Sequence, residues 1–85
     1  MMHFVYILRC RDGSLYTGYT NDVYKRLKTH NSGKGAKYTR ARLPVSLVYY
    51  KRVDNKSFGL KLESRIKKLT KKEKEALVKQ FNLRK

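Results

Sequence analysis

Acidic residues are scarce in this chain. It has 22 lysines and arginines against 6 aspartates and glutamates in 85 residues, which gives a net charge of +16. Between Val23 and Val53 there are nine cationic side chains and no acidic one. A field of one sign favours a polyanionic partner, nucleic acid before an anionic membrane surface. The alternative is a basic surface that serves only solubility, although acids serve solubility equally well.

Cysteine and long apolar runs are also lacking. Cys10 is the only cysteine, which excludes an intrachain disulfide, and with His3 and His30 alone it cannot complete a zinc site. No apolar run approaches the roughly 18 residues of a membrane span, and the N-terminus lacks the pattern of a signal peptide. We therefore expect a single domain over residues 1–85, located in the reducing cytoplasm, with no membrane partner.

A β-hairpin that leads directly into a helix is predicted for residues 4–30. The run His3 to Cys10 is typical of a central strand buried on both faces, and Ser14 to Thr20 is its partner. A two-residue turn would place Tyr6 opposite Tyr19. A three-residue turn with Gly13 in the left-handed conformation would place Tyr6 opposite Gly18 instead. Only the second register puts Tyr6 and Tyr16 on one face, and the sequence allows both.

The first helix is expected to start with Asn21 as its N-cap and Asp22 in its first turn, and to end near Asn31 with Gly33 as the C-terminal cap. Its apolar stripe is Val23 and Leu27. One helical turn apart, Arg26 and His30 border the face that packs on the sheet. The segment Ser32 to Leu43 is predicted to be a glycine-containing basic loop suited to phosphate contacts. The side chains assigned to DNA are Lys25, Lys34, Lys37, Arg40 and Arg42.

The C-terminal half predicts one strand and two helices. Pro44 precedes a strand over Val45 to Lys51, and a helix follows from about Lys56 to Leu69. Thr70 to Glu73 matches a capping box that starts the last helix. Core-facing positions in the two helices are Leu62, Ile66, Leu69, Leu77 and Phe81. The resulting order, β-β-α-β-α-α, predicts an α+β fold with a three-stranded antiparallel sheet flanked by helices.

Glu63 is one of the few acids and borders the core stripe of its helix. It could form an i,i+4 pair with Lys67, worth a few tenths of a kcal/mol. It could instead face the sheet as a metal ligand. Spacing alone leaves both interpretations open.

The arrangement resembles a GIY-YIG nuclease domain over essentially the whole chain, and it is most similar to the small stand-alone UPF0213 type. Phe4-Val5-Tyr6 stands at the first motif, with Phe4 in place of the motif's glycine, and Tyr16-Thr17-Gly18 stands at the second. The resemblance gives Gly18 a structural place at the site. The remaining matches are Arg26, His30, Glu63 and, loosely, Asn82.

This resemblance implies hydrolysis of DNA phosphodiester bonds with one divalent metal ion, Mg²⁺ or Mn²⁺, bound by Glu63. Arg26 would stabilise the phosphate, and Tyr16 would orient water or phosphate. Tyr6 is the favoured general base, on condition that neighbouring cations lower its pKa, and His30 would assist proton transfer or bind the phosphate. Strand packing is the competing interpretation for both tyrosines, and a helix C-terminal cation is the competing one for His30.

Two other functions stay open at this point. The fold could bind nucleic acid without cleaving it, or the basic surface could meet an acidic protein. The expected partner is DNA, including branched or damaged forms. Because no second domain is evident, a protein partner could supply specificity.

Overall fold

The computed structural model describes residues 2–83 and shows a three-stranded antiparallel sheet in the order β2-β1-β3. The strands are β1 (His3–Arg9), β2 (Leu15–Thr20) and β3 (Ser46–Val53); the helices are α1 (Val23–Asn31), α2 (Lys37–Arg40), α3 (Lys56–Lys67) and α4 (Lys71–Leu83). The predicted α+β fold and the order β-β-α-β-α-α are confirmed, with α2 as one additional helical turn. None of the helices within residues 2–83 is long and apolar enough to cross a membrane.

Strand β1 lies at the centre of the sheet and contributes to two cores. Because side chains alternate along a strand, Tyr6 and Leu8 pack with Val23 beneath α1. Val5 and Ile7 have no exposed surface and pack on the opposite face, against α3 and α4. This arrangement explains why β1 reads as a nearly continuous apolar run, and it confirms the prediction of a strand buried on both faces.

The hairpin turn has three residues, and this settles the register. The Cys10 amide donates to the Ser14 carbonyl at 2.8 Å, and the Gly13 amide donates to the Cys10 carbonyl at 2.9 Å. Gly13 has a φ of +85°, in the left-handed region that glycine adopts without strain. Tyr6 therefore pairs with Gly18, as the three-residue alternative predicted.

The caps of α1 differ by one residue from the prediction. Asp22 is the N-cap in place of Asn21: its backbone is extended, and its carboxylate accepts from the Lys25 amide at 3.0 Å. A bond from the Asp22 amide to the Thr20 hydroxyl at 3.2 Å delays the helix start. The C-terminus confirms the predicted role of Gly33, whose φ is +80°.

The C-terminal end of α1 is a Schellman motif. The Gly33 amide donates to the carbonyl of His30 at 3.1 Å, and the Lys34 amide donates to the carbonyl of Thr29 at 3.3 Å. This motif reverses the chain and brings the following residues back over the side of α1 that carries His30.

The segment from Ser32 to Leu43 is only partly a loop, because it contains α2. A single turn is too short to show helical periodicity in a sequence. Strand β3 begins at Ser46, not at Val45, because the Asn31 side chain binds both backbone groups of Val45, at 2.9 and 2.7 Å. It continues to Val53, two residues beyond its predicted end.

The last two helices are placed as expected. Ile66 is buried, and Leu62 and Leu69 pack beside it, although α3 ends at Lys67 and not at Leu69. The capping box of α4 is present, with bonds of 2.9 and 3.2 Å between Thr70 and Glu73. The Leu77 side chain packs in the same core, and the Phe81 ring lies 5.7 Å from Tyr49 and 5.2 Å from Tyr50, measured between ring centroids. Val78 on α4 is also buried, and this was not predicted.

An ion pair fixes α4 to the central strand. The guanidinium of Arg9 donates to both carboxylate oxygens of Glu75, at 2.8 and 2.6 Å. A bidentate pair of this kind specifies orientation as well as contact. It holds the N-terminal part of α4 against the end of β1.

One buried hydroxyl supplies a test of the packing. Thr17 on β2 is 3% exposed, and its Oγ1 has no hydrogen-bond partner among the described residues. We expect Thr17→Val to raise the free energy of unfolding by about 1 kcal/mol, because it removes a buried unsatisfied group with little change in shape. Urea denaturation would measure this change, and a clear loss of stability would show that the hydroxyl is satisfied.

Candidate active site

Tyr6 and Gly18 form the base of a pocket at the β2 edge of the sheet. A Cβ atom at position 18 would collide with the hydroxyl end of the Tyr6 ring. Glycine at this position therefore lets the ring lie across the neighbouring strand. Tyr6 is 3% exposed, so its hydroxyl needs a partner inside the protein.

His30 supplies that partner. Its Nε2 lies 2.9 Å from the Tyr6 hydroxyl, and its Nδ1 lies 2.9 Å from Oγ1 of Thr39 on α2. The Thr39 hydroxyl in turn donates to the Ala36 carbonyl at 2.9 Å. His30 is 1% exposed, whereas the sequence placed it only at the border of the packed face. Tyr6, His30 and Thr39 thus form one buried chain of hydrogen bonds.

Tyr16 covers this chain with its ring. Its centroid lies 5.4 Å from that of His30 and 6.5 Å from that of Tyr6, so the two tyrosines share a face as the three-residue turn requires. The Tyr38 ring stacks beside Tyr16 at 6.2 Å, and the Arg42 guanidinium lies 3.8 Å from the Tyr38 centroid. The aromatic layer excludes water from one side of His30.

The pocket has a volume of about 320 Å³, and we call it the Tyr6 pocket. It draws side chains from both strands of the hairpin, from α1, from the segment after α1 and from α3. Its lining residues are Tyr6, Tyr16, Gly18, Tyr19, Arg26, His30, Lys34, Gly35, Ala36 and Glu63. Six of the residues predicted for the site, and one predicted DNA contact, therefore meet in one place.

Glu63 and Arg26 bring opposite charges to this pocket. The Glu63 side chain is 18% exposed and forms the i,i+4 pair with Lys67 that the sequence offered, at 3.2 Å. The same side chain lines the Tyr6 pocket. Arg26 is exposed on α1 and lines the same pocket from the other side of the β2 edge. Arg26 forms no ion pair within residues 2–83, so its guanidinium is available to an anion that enters the Tyr6 pocket.

The role predicted for Tyr6 as a general base required neighbouring cations to lower its pKa, and this condition is not met. Burial raises the pKa of Tyr6, and the neighbouring Tyr16 raises it further, while Arg26 lowers it by less. The phenol is therefore neutral. Burial also lowers the pKa of His30, and Arg26 lowers it further, so the imidazole is neutral at neutral pH. A neutral phenol thus faces a neutral imidazole.

Several predicted residues do not line this pocket. Asn82 is exposed on the last turn of α4. Lys25 lines a neighbouring pocket of about 230 Å³ that it shares with Arg26 and Thr29. Lys37 and Arg40 are exposed on α2, near the pocket in sequence but outside its lining.

Arg42, also assigned to DNA, is already engaged. Its Nε lies 3.1 Å from the Asp12 carboxylate, and its Nη1 donates to the Tyr38 carbonyl at 2.8 Å. These contacts tie the segment after α2 to the hairpin turn. Bonds from Ser14, and then Arg42, keep the pKa of Asp12 below its usual range.

Sequence reasoning missed Thr39 and Gly35. The Thr39 side chain is fully buried, in a segment that was predicted to be a loop suited to phosphate contacts. A Cβ atom at position 35 would collide with the His30 ring, so the backbone passes directly against it. Neither residue carries a spacing signal, because both depend on how the chain folds back after α1.

The side chains that line the Tyr6 pocket show whether it could bind the divalent metal ion that the resemblance implies. Glu63 is the only carboxylate lining the Tyr6 pocket, and among residues 2–83 no group of three histidine, cysteine or acidic side chains could hold a metal ion. Mg²⁺ binds through one or two carboxylates and completes its shell with water and phosphate oxygens. The residues present therefore fit a hard cation bound together with a phosphate.

Comparisons with known proteins identify the family of this chain. The family model described as the GIY-YIG catalytic domain matches residues 2–76. A UPF0213 protein of Bacillus velezensis is 58% identical over 76 residues, which cover 89% of this chain and 77% of that protein. A UPF0213 protein of Halobacterium salinarum is 53% identical over 89% of this chain and 99% of its own length.

Two solved structures share the fold. The solution structure of the UPF0213 protein BH0048 from Bacillus halodurans is 51% identical, with a TM-score of 0.61 over 94% of this chain and 85% of that one. The solution structure of protein EF2693 from E. faecalis is 45% identical, with a TM-score of 0.64 over 98% of this chain and 88% of that one. This chain belongs to the GIY-YIG family of nuclease domains and, within it, to the UPF0213 proteins.

Proposed function

We propose that this protein is an endonuclease that hydrolyses DNA phosphodiester bonds in the Tyr6 pocket with the help of a divalent metal ion, Mg²⁺ or Mn²⁺. One observation carries the proposal: a phenol, an imidazole, a guanidinium and a carboxylate, from Tyr6, His30, Arg26 and Glu63, line a single pocket. Phosphodiester hydrolysis needs a proton acceptor for water, a donor to the phosphate and a site for a cation. Each need has a residue in this set.

Proton transfer is assigned to Tyr6 and His30 acting together. A buried phenol with a raised pKa does not act alone as a base. His30 Nε2 lies 2.9 Å from the Tyr6 oxygen, and its imidazole is neutral, so it can take the phenolic proton. As water attacks phosphorus, its proton passes to the Tyr6 oxygen while the phenolic proton passes to His30. The bond from phosphorus to the leaving oxygen then breaks. The leaving oxygen takes a proton from solvent, and protonated His30 returns its proton to Tyr6 as the phenol releases the proton of the attacking water to solvent.

Charge stabilisation is assigned to Arg26 and Glu63. The Arg26 guanidinium presents a planar set of donors to the phosphate as it gains charge. A cation bound by Glu63 would supply Lewis-acid stabilisation of the phosphate and of the leaving oxygen. The exposed cations of α1 and of the following segment would hold the DNA backbone by contacts without base specificity. The proposed substrate is therefore DNA recognised by its backbone and shape, including branched or damaged forms.

A second candidate function is a nucleic-acid-binding module that does not cleave. The observation that favours it is the contact of Glu63 with Lys67 at 3.2 Å, which neutralises the only carboxylate lining the pocket. In that case the same basic surface would bind DNA, and no divalent cation would be needed.

Replacing Glu63 separates the two candidates. For Glu63→Gln we expect cleavage of DNA with Mg²⁺ to fall by about 100-fold or more, because the charge that binds the cation is removed. DNA affinity should be kept or improved, and stability should fall by only about 0.3–0.5 kcal/mol, the worth of an i,i+4 pair. Cleavage would be followed on nicked, flapped, branched and duplex substrates, and affinity by fluorescence anisotropy.

Lys67→Gln is the matched control for this variant. It breaks the same ion pair but keeps the Glu63 carboxylate. Its cleavage rate should stay near that of the wild type. Equal activity in all three proteins would show that Glu63 is structural, and a wild type that cleaves no substrate with any divalent metal would favour the binding module.

Arg26→Ala tests the donor to the phosphate. We expect kcat to fall by about 10²- to 10³-fold, as when other preorganised donors are removed, with a smaller change in KM. Lys28→Ala removes the same charge from an exposed site on α1 outside the pocket lining and is the control. Single-turnover cleavage would measure both variants. A similar loss of cleavage rate in the two would show that Arg26 contributes only its positive charge to the basic surface.

Salt dependence tests the DNA contacts. Each phosphate contact lowers the slope of log K against log salt by about 0.9, so replacing Lys34 and Lys37 together by alanine should make the slope shallower by about 2. Replacing Lys72 and Lys79 on α4 by alanine changes the net charge equally and should alter the slope less. Affinity that barely changes between about 50 and 200 mM salt in the wild type would indicate a different ligand.

A further inference from the structure

Thr39 lies on the far side of the His30 ring from Tyr6, with Oγ1 2.9 Å from Nδ1. We propose that Thr39 is a positioning residue that fixes which nitrogen of His30 carries the proton, and so leaves Nε2 free to accept from Tyr6. The inference rests on the proposed function, in which His30 receives the phenolic proton. Thr39 lies in α2 and was not among the residues predicted for the site.

The direction of each hydrogen bond follows from the number of protons available. The Thr39 hydroxyl has one proton, which it donates to the Ala36 carbonyl at 2.9 Å. Its oxygen must then accept from His30, so Nδ1 carries the hydrogen and Nε2 has a lone pair. Tyr6, whose hydroxyl lies 2.9 Å from Nε2, is consequently the donor to His30. The chain of bonds runs from Tyr6 through His30 and Thr39 to Ala36.

The opposite tautomer would be costly in this position. With the proton on Nε2, the lone pair of Nδ1 would face the Thr39 oxygen, and the hydroxyl would have to leave Ala36 to restore the bond. The Ala36 carbonyl would lose the Thr39 hydroxyl but keep the amide donors of Thr39 and Arg40. The Nε2 proton would point at the Tyr6 oxygen, so the buried Tyr6 hydroxyl would lose His30 as its acceptor. Thr39 has no exposed surface and His30 is 1% exposed, so water does not readily replace a lost partner.

The backbone also limits movement of the ring. The Schellman motif at the end of α1 returns the chain over His30, and the Gly35 backbone passes so close that a Cβ atom there would meet the ring. The Tyr16 ring also packs against it, with 5.4 Å between ring centroids. The ring is therefore held in place by packing, while Thr39 selects its tautomer. These two constraints are separable by substitution.

The test compares Thr39→Val with Thr39→Ser. Valine has nearly the shape of threonine but cannot accept a hydrogen bond, whereas serine can. Imidazole ¹⁵N NMR on the metal-free, DNA-free protein should show Nδ1 protonated in the wild type and in Thr39→Ser. In Thr39→Val we expect the Nε2-protonated form, which an unconstrained neutral imidazole favours. His3, the only other histidine, is an internal reference whose signals should not change.

Cleavage kinetics give the second measurement. Thr39→Val should lower kcat by about tenfold or more with little change in KM, and Thr39→Ser should restore most of it. Thr17→Val is the matched control: it makes the same substitution at a buried threonine on the opposite face of the sheet. It should leave both the His30 tautomer and kcat unchanged. If Thr39→Val does not fold, Thr39→Ala removes the same oxygen without adding a methyl group.

The outcomes separate this proposal from the proposed function. A wild type with Nε2 protonated overturns the inference, and so does a substitution that changes the tautomer but not kcat. If the wild type cleaves no DNA, the proposed function fails and with it the catalytic part of the inference. The NMR signals would then still decide whether Thr39 sets the tautomer.

Discussion

The register between β1 and β2 is the constraint on which the site depends. Side chains alternate between the faces of a sheet, so a shift of one residue would move Tyr16 to the opposite face from Tyr6. The three-residue turn prevents this shift, and its geometry depends on Gly13 at a φ of +85°. Gly18 then falls opposite Tyr6, where a larger side chain would displace the phenol. The turn thus determines the chemistry of a pocket some distance along the strands.

The same register explains how the two sides of the sheet contribute to one pocket. Tyr6 belongs to the core beneath α1, whereas α3, which carries Glu63, packs on the other face. A sheet normally separates such side chains. Here β2 is an edge strand, and the absence of a side chain at Gly18 lets the Tyr6 ring lie across it toward the edge of the sheet. A carboxylate and a phenol from opposite faces can therefore line the same cavity.

Burial gives this pocket a different character from the rest of the basic surface. It raises the pKa of Tyr6 and lowers the pKa of His30, so both groups are neutral and share one hydrogen bond. The neighbouring Arg26 lowers the pKa of the Tyr6 phenol by less than burial raises it. A proton acceptor built from two neutral groups needs a defined tautomer more than it needs a shifted charge. In the proposed mechanism, this need gives the segment after α1 a role beyond its proposed contact with DNA.

Local patterns in the sequence predicted the three strands, the three longer helices, the burial of β1 on both faces and the capping box, because periodicity and capping are short-range properties. The resemblance to a nuclease family grouped Tyr6, Tyr16, Arg26, His30 and Glu63 into one set. Tertiary structure decided the turn register, the neutral state of Tyr6, the engagement of Arg42 with Asp12 and the burial of Thr39 against His30. Each of these depends on groups that are distant in the chain, or on solvent exclusion, which a pattern of residues does not record.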